Sequence, residues 1–497
     1  MCIKSSSETE GEFPAPAVPC WRLKRNADES LGLEDVVMRG TTHNSGCKIR
    51  SCGIPAAESI TSRSEPTNIQ AITNKHNHYM ATSERIYLCL AHMSETGMEK
   101  KYVQEAFDTN WVVPLGPNVN GFEKDLEEFV GQNKRVVALS SGTAAVHLGL
   151  IAAGVKAGDE VIVQSFTFCA SSHPITYLGA IPVFVDSEKD SWNIDPDLLE
   201  EAIKDRIAKT GKKPKAIVPV ALYGMPYQID RIMEVANRYD IPVVEDAAEG
   251  FGSKFNGQVL GTFGKSGVLS FNGNKMITTS GGGALITANE EEWREIMMYA
   301  TQYRESYPYY QHEKIGFNYR MSNVCAGIGR GQMTVVADHI AHHKRVQHLY
   351  EELLADVQGV QVHSQPATGE YDSNYWLCTI TLDPDLKIKG QENAYKTIVQ
   401  GAVGGAAGVI HVADSATTDC QPNDNVEALR VYMDNAGVEA RPLWKPMHKQ
   451  PVYKNAPAYI NGVSEALFKV GMCLPAGPCV SEEDVRYIVK CIKEAIL

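Results

Sequence analysis

The sequence has no CxxC pair, no long apolar run and no excess of positive charge, and each absence removes a class of function. Its twelve cysteines are scattered over 497 residues. Cys47 and Cys52 are the closest two, and no histidine lies beside them at zinc-ligand spacing. Free thiols in a reducing compartment are therefore expected, and no metal centre. The first residues lack a charged start followed by an apolar core, so no secretory signal is expected. The most apolar small-residue run, 401–413, is too short to cross a bilayer core of about 30 Å as a helix. Lys and Arg number 47 against 60 Asp and Glu, a formal net charge of −13. That balance argues against nucleic acid or an anionic membrane as the main partner. The expectation is a soluble cytoplasmic protein that holds any phosphate by local groups.

What is present suits a large globular chain. Apolar residues make up 43% and charged residues 22%, enough for more than one core. Residues 1–82 stand apart: rich in Ser, Thr, Asn, Pro and Gly, with no sustained apolar period, they read as a poorly ordered extension, with Met80 an alternative start. From 84 onward the pattern is orderly. Phe122, Leu126 and Phe129 recur at helical spacing and stop at Gly131. Short apolar strand-like runs follow at 136–139, 161–163, 182–185, 216–218, 242–245, 267–271 and 284–287, with helix-like stretches such as 143–153 and 229–239 between several of them. Strands alternating with helices predict a largely parallel seven-stranded sheet covered on both faces. Such sheets place ligands at the carboxyl ends of their strands. Beyond about 330, a helical run at 332–357, an alternating stretch at 377–382 and a helix at 426–436 predict a smaller α+β domain. The expected division is an extension at 1–82, a large domain at 83–335 and a small one at 336–497. The stretch 387–425, polar at its ends and small in the middle, has no physical account from sequence.

Candidate chemistry sits at the strand ends. Ser140-Ser141-Gly142-Thr143-Ala144 follows the first strand and opens a helix. Amides at a helix start attract anions, and Gly142 would let a phosphate approach the main chain, although Ser or Thr before a helix is usually just a cap. Asp246 closes the run Ile241-Pro242-Val243-Val244-Glu245-Asp246. A carboxylate at the end of a buried strand needs a cationic partner or a capping role. A protonated pyridine nitrogen is one such partner. Lys275 lies just past another strand, in Ser270-Phe271-Asn272-Gly273-Asn274-Lys275, and three glycines, Gly281, Gly282 and Gly283, follow. Most lysines are solvated surface charges, but these flanks suit a loop packed against a flat ligand. Apolar surroundings ease deprotonation of an amine, as Schiff-base chemistry requires. Ser270 could add a hydroxyl to the Gly142 phosphate site. Phe168 could stack on a heteroaromatic ring or simply fill the core.

The ordered series SSGTAA, EDAAEGFGS, SFNGNK…SGGG and GFNYRMSN resembles the DegT/StrS family of sugar-nucleotide aminotransferases. LGPNVNGFE at 115–123 and RPLWKPMH at 441–448 look like further segments of that family, so the resemblance spans roughly 84–497. It implies an α/β fold of the aspartate-aminotransferase type (fold type I) with pyridoxal 5′-phosphate (PLP) as cofactor. Lys275 would form a Schiff base with the cofactor and shuttle protons. Asp246 would pair with the pyridine nitrogen, and Glu249 would lie near the ring hydroxyl. Phe168 would stack on the ring, while Gly142, Thr143, Ala144 and Ser270 would hold the phosphate. Asn318 would reach that phosphate from a neighbouring subunit, implying a homodimer with shared sites. Glutamate would donate the amine to a nucleotide-linked keto-deoxysugar, a UDP-4-keto-6-deoxy-hexose first of all, for polysaccharide or glycan synthesis. Relatives with His in place of the lysine remove a hydroxyl instead. A dehydratase, a lyase or a non-catalytic sensor of the same fold are the alternatives. Ser280 stands where many members carry Glu. His312 and His448 fall in motif-like segments but read equally as surface or interface histidines.

Overall fold

The computed structural model describes residues 85–395 and 420–497. The extension at 1–82, the alternative start at Met80, the small-residue run at 401–413 and most of the 387–425 stretch lie outside the described residues.

The helix Pro117–Val130 shows how sequence pattern becomes packing here. Proline occupies its first turn, where a missing N–H costs nothing, and Val119, Phe122, Leu126 and Val130 are buried at helical spacing. It stops at Gly131, whose φ of 67° an L side chain rarely adopts. The chain then enters a sheet whose seven principal strands are β1 (Arg135–Leu139), β2 (Glu160–Gln164), β3 (Ile181–Val185), β4 (Ala216–Val218), β5 (Val244–Asp246), β6 (Ser266–Ser270) and β7 (Gly283–Thr287). Most of their residues are buried, as strands covered on both faces require. Hydrogen-bonded order is β3-β2-β4 on one side and β5-β6-β7-β1 on the other. Parallel bridges at Ile217 with Val243 and Val220 with Asp246 join the halves.

Only β7 runs antiparallel to its neighbours, β6 and β1. The loop 271–282 contains no crossover helix, so β6 and β7 pair as a wide hairpin. The sheet is thus mostly parallel, as expected. Sequence reading missed a short eighth strand that pairs parallel with β3 at its edge, and it comes from near the C-terminus.

A second, all-antiparallel sheet forms from β8 (Val360–Val362), β9 (Cys378–Leu382), β10 (Arg441–Pro442) and β12 (Gly471–Leu474), in the order β8-β9-β12-β10; β11 (Ala458–Tyr459) is the edge strand just described. Helices Val336–Leu354, Asp424–Asn435 and Glu482–Ala495 cover it. Val346, Tyr350, Ile380, Leu429, Met472 and Ile488 lie in its apolar cluster, separate from those around the large sheet. Among the described residues no helix is long and apolar enough to cross a membrane.

Candidate active site

The carboxyl ends of β1, β2, β5 and β6 face one pocket of about 300 Å³. Because β7 runs the other way, its first residue, Gly283, lies at that same end. The helix Gly142–Ala152 starts directly after β1, capped by Ser141, whose backbone is extended and whose Oγ accepts from the Ala144 amide at 3.0 Å. First-turn amides have no carbonyl within their own helix to bond, so this turn is a ready anion cradle. Glycine is required at 283, and a side chain at 142 would be tight. A Cβ on Gly283 would fall 2.4 Å from the Gly142 nitrogen, and one on Gly142 would sit 3.0 Å from the Ser270 Cβ. Ser140, Gly142, Thr143 and Ser270 therefore share one wall of the pocket.

Two adjacent carboxylates on β5 illustrate what marks the site. Side chains alternate along a strand, so Glu245 and Asp246 point to opposite faces. Glu245 is buried and saturated: it accepts from the amides of Gly261 at 3.0 Å, Phe263 at 2.6 Å and Gly264 at 2.5 Å, and from the Tyr227 hydroxyl at 3.0 Å. It clamps a turn. Asp246 faces the pocket and accepts from the Ser171 hydroxyl at 2.6 Å and the Ala248 amide at 3.1 Å. Burial pushes its carboxyl above the usual range, opposed by those two bonds and by the charge of Lys275. An added cation facing Asp246 from the pocket would offset that desolvation.

Lys275 lies in the β6–β7 loop, with its side chain only 13% exposed. Its Nζ is 3.5 Å from Glu249 Oε1 and 3.8 Å from the centre of the Trp376 ring. The other Glu249 oxygen accepts from the Tyr223 amide at 2.7 Å. Tyr223 holds a left-handed φ of 54°, unusual for an aromatic residue, and its hydroxyl accepts from the Trp444 amide at 2.8 Å. Burial raises the Glu249 carboxyl, and Lys275 opposes that shift. At the mouth Phe168 is half exposed and meets Trp444 with ring centres 5.4 Å apart.

Of the residues singled out in the sequence, Gly142, Thr143, Phe168, Asp246, Glu249, Ser270 and Lys275 line this one pocket. Ala144 does not; it lies behind the turn, its amide taken by Ser141. Asn318 is exposed and bridges Thr301, away from the pocket of its own chain. His312 is exposed with Nδ1 against the Gln302 carbonyl, and His448 Nδ1 lies 2.7 Å from Ser165 Oγ. Neither lines the pocket. Sequence reading missed Ser171, Trp376 and the pocket role of Trp444, although Trp444 sits inside RPLWKPMH.

Comparison with known proteins settles the class. The DegT/DnrJ/EryC1/StrS aminotransferase family profile matches residues 94–398 and 393–493. The chain belongs to that family. A putative pyridoxal phosphate-dependent aminotransferase, EpsN, from Bacillus subtilis (strain 168) is 40% identical over 411 residues, covering 82% of this chain and 95% of that protein. A GDP-perosamine synthase from Escherichia coli O157:H7 is 33% identical, over 82% and 98% of the respective chains. Among solved structures, a DegT DnrJ EryC1 StrS aminotransferase from Brucella abortus superposes with a TM-score of 0.68 at 27% identity, covering 80% of this chain and 95% of that one. The fold is thus that of the family's PLP aminotransferases, and pyridoxal phosphate is the cofactor that membership implies. The pocket fits it: a glycine-pinched amide cradle for an anion, a buried carboxylate facing the cavity, and a shielded lysine on the same pocket.

Proposed function

We propose that this chain transfers an amino group from glutamate to a nucleotide-linked keto-deoxysugar for polysaccharide or glycan synthesis. The observation that carries the reading is Lys275, shielded and facing Glu249 in the same 300 Å³ pocket as Asp246 and the Gly142 turn. Pyridoxal phosphate, when bound, supplies a carbonyl that amines condense with and a ring that withdraws electrons.

The chain's own groups have separable tasks. The first-turn amides at Gly142 and Thr143, with the Ser270 hydroxyl, hold the phosphate. Asp246, oriented by Ser171, would hold a proton on the ring nitrogen. Glu249 would face the ring hydroxyl, and Phe168 would cover the ring. Lys275 would hold the cofactor through its nitrogen and, when that nitrogen is free, would take up and return a proton there. Asn318, exposed on its own chain, serves the phosphate of a partner in a homodimer. The reaction belongs in the cytoplasm.

A UDP-linked 4-keto-6-deoxy-hexose is the first acceptor to try. The GDP-linked sugar is the second, supported by the 33%-identical perosamine synthase. The test is the visible spectrum: the lysine-bound cofactor absorbs near roughly 410–430 nm, and glutamate should bleach that band. A cofactor-loaded protein that glutamate leaves unchanged defeats the aminotransferase reading. After bleaching and removal of glutamate and 2-oxoglutarate, a correct keto-sugar restores the band, so the two nucleotides can be ranked by that return.

A further inference from the structure

One buried segment touches both polar partners of the pocket. In Ser373-Asn374-Tyr375-Trp376, the Asn374 amide group donates to the carbonyls of Glu249 at 2.9 Å and Phe251 at 3.0 Å. Its oxygen accepts from the Trp376 amide at 2.8 Å. The Asn374 backbone amide donates to Ser253 Oγ at 2.9 Å, and the Ser253 and Ser373 hydroxyls both donate to the Gly224 carbonyl, at 2.6 and 3.0 Å. Asn374 therefore fixes the turn that carries Glu249.

Trp376 does the corresponding work on Lys275. Its indole N–H donates to the Asn274 carbonyl at 2.6 Å, gripping the loop one residue before the lysine. Its ring face lies 3.8 Å from the lysine Nζ. The residue is only 1% exposed, so the ring cannot turn away. A lysine has a long flexible stem, whereas a ring's negative face attracts an ammonium from a fixed direction.

We propose that Trp376 is a positioning residue for Lys275, holding its nitrogen opposite Glu249 both when the lysine is free and when it carries the cofactor. This rests on the aminotransferase reading above. A tryptophan that merely filled the core would support folding and nothing more. A positioning tryptophan also fixes where the amine stands, and thereby the orientation of whatever the amine carries.

The test uses full-length W376F and W376L loaded with pyridoxal phosphate. Three things are read: thermal midpoint, circular dichroism of the visible band, and the glutamate half-reaction resolved into maximal rate and half-saturation. W376F keeps a ring face and should hold most of the visible dichroism, with a rate within about threefold of wild type. W376L should lose more than about half of the dichroism and about 10- to 100-fold in maximal rate, with half-saturation within about threefold. A W376L protein with wild-type dichroism and rate, whatever its thermal midpoint, overturns the proposal. If W376L does not fold, ring-fluorinated tryptophan decides, because it weakens the ring face with little change in volume. It should lower the dichroism in the Trp376 chain and not in W376F. Equal responses overturn the proposal. The dichroism needs bound cofactor but no amino donor, so it judges Trp376 even where glutamate fails to bleach the band.

Discussion

Two cavities of this molecule differ in the direction opposite to intuition. The cleft lined by Lys189, Asp190, Trp192, Gln361, His363 and Leu467 encloses about 840 Å³, against about 300 Å³ for the Lys275 pocket. In the larger cleft the charged side chains of Lys189 and Asp190 are exposed, and the wall is a Trp192–His363 stack with ring centres 3.7 Å apart. In the smaller pocket two carboxylates are buried beside a shielded lysine. Exposed charge is cheap to keep in water. Buried charge is costly and must be offset by a partner or a ligand. What separates the two cavities is thus how much charge each keeps out of water, and volume is a poor guide.

The comparison breaks first at Lys275. On the proposed reading K275A should lose the lysine-bound visible band and lower turnover by more than about 1,000-fold, since among the described residues no other lysine lines the pocket. Stopped-flow spectra with glutamate check this, and residual turnover within tenfold of wild type would place the chemistry elsewhere. On the proposed reading D246N should cost less, about 100-fold in maximal rate, because the Ser171 bond survives while the negative charge facing the pocket does not. The measurement is the half-reaction rate of loaded protein, with cofactor binding followed separately by its visible dichroism.

How much of this was legible in the sequence follows from what short-range pattern can encode. The strands of the large sheet were readable because buried parallel strands are apolar runs, and Asp246 and Lys275 stood out because one closes such a run and the other lies in the loop just past one. Trp376 was not. It reaches Asn274 across a sequence separation of 102 residues, and nothing local distinguishes it from a core tryptophan. The edge strand Ala458–Tyr459 escaped for a different reason: two residues carry no period. Ala144 shows the limit of motif transfer. It stands in the run expected to hold a phosphate, and in this structure its amide donates to the Ser141 cap and it does not line the pocket.

A pH experiment sharpens the comparison, because one strongly perturbed histidine lines the larger cleft and another lies behind the Trp376 wall of the Lys275 pocket. Burial pushes both His343 and His363 down to about 3 from 6.5. His343 donates through Nδ1 to the Tyr375 carbonyl at 3.1 Å, next to Trp376. With the folded pKa depressed, each contributes stability that is complete above pH 6.5. It is lost as pH falls toward 3, because only the unfolded chain takes up the proton. The loss per histidine is about 1.4 kcal/mol per pH unit, or about 2 kcal/mol between pH 6.5 and 5.0. Urea midpoints at pH 7.5 and 5.0 should show H343Q and H363Q each less acid-sensitive than wild type by that amount. Only H343Q should also alter the visible dichroism of the bound cofactor, since only its partner adjoins the Lys275 wall. Matching dichroism in the two variants would mean that the wall beside Trp376 has no special hold on the site.

The smallest expected effect tests the larger cleft directly. Lys189 is exposed, and removing one solvated charge usually changes stability by no more than about 0.5 kcal/mol. K189A should therefore leave the glutamate half-reaction and its half-saturation within about twofold of wild type. The return half-reaction with a keto-sugar nucleotide is the more demanding measurement, because a diphosphate carries anionic charge that an exposed lysine attracts. If the half-saturation for the sugar nucleotide also stays within about twofold, the 840 Å³ cleft takes no part in turnover. A tenfold rise confined to the sugar step, with the glutamate step intact, would instead extend the substrate path from the Lys275 pocket into that cleft. Charge exposure would then mark where the nucleotide docks, and charge burial where the bond is made.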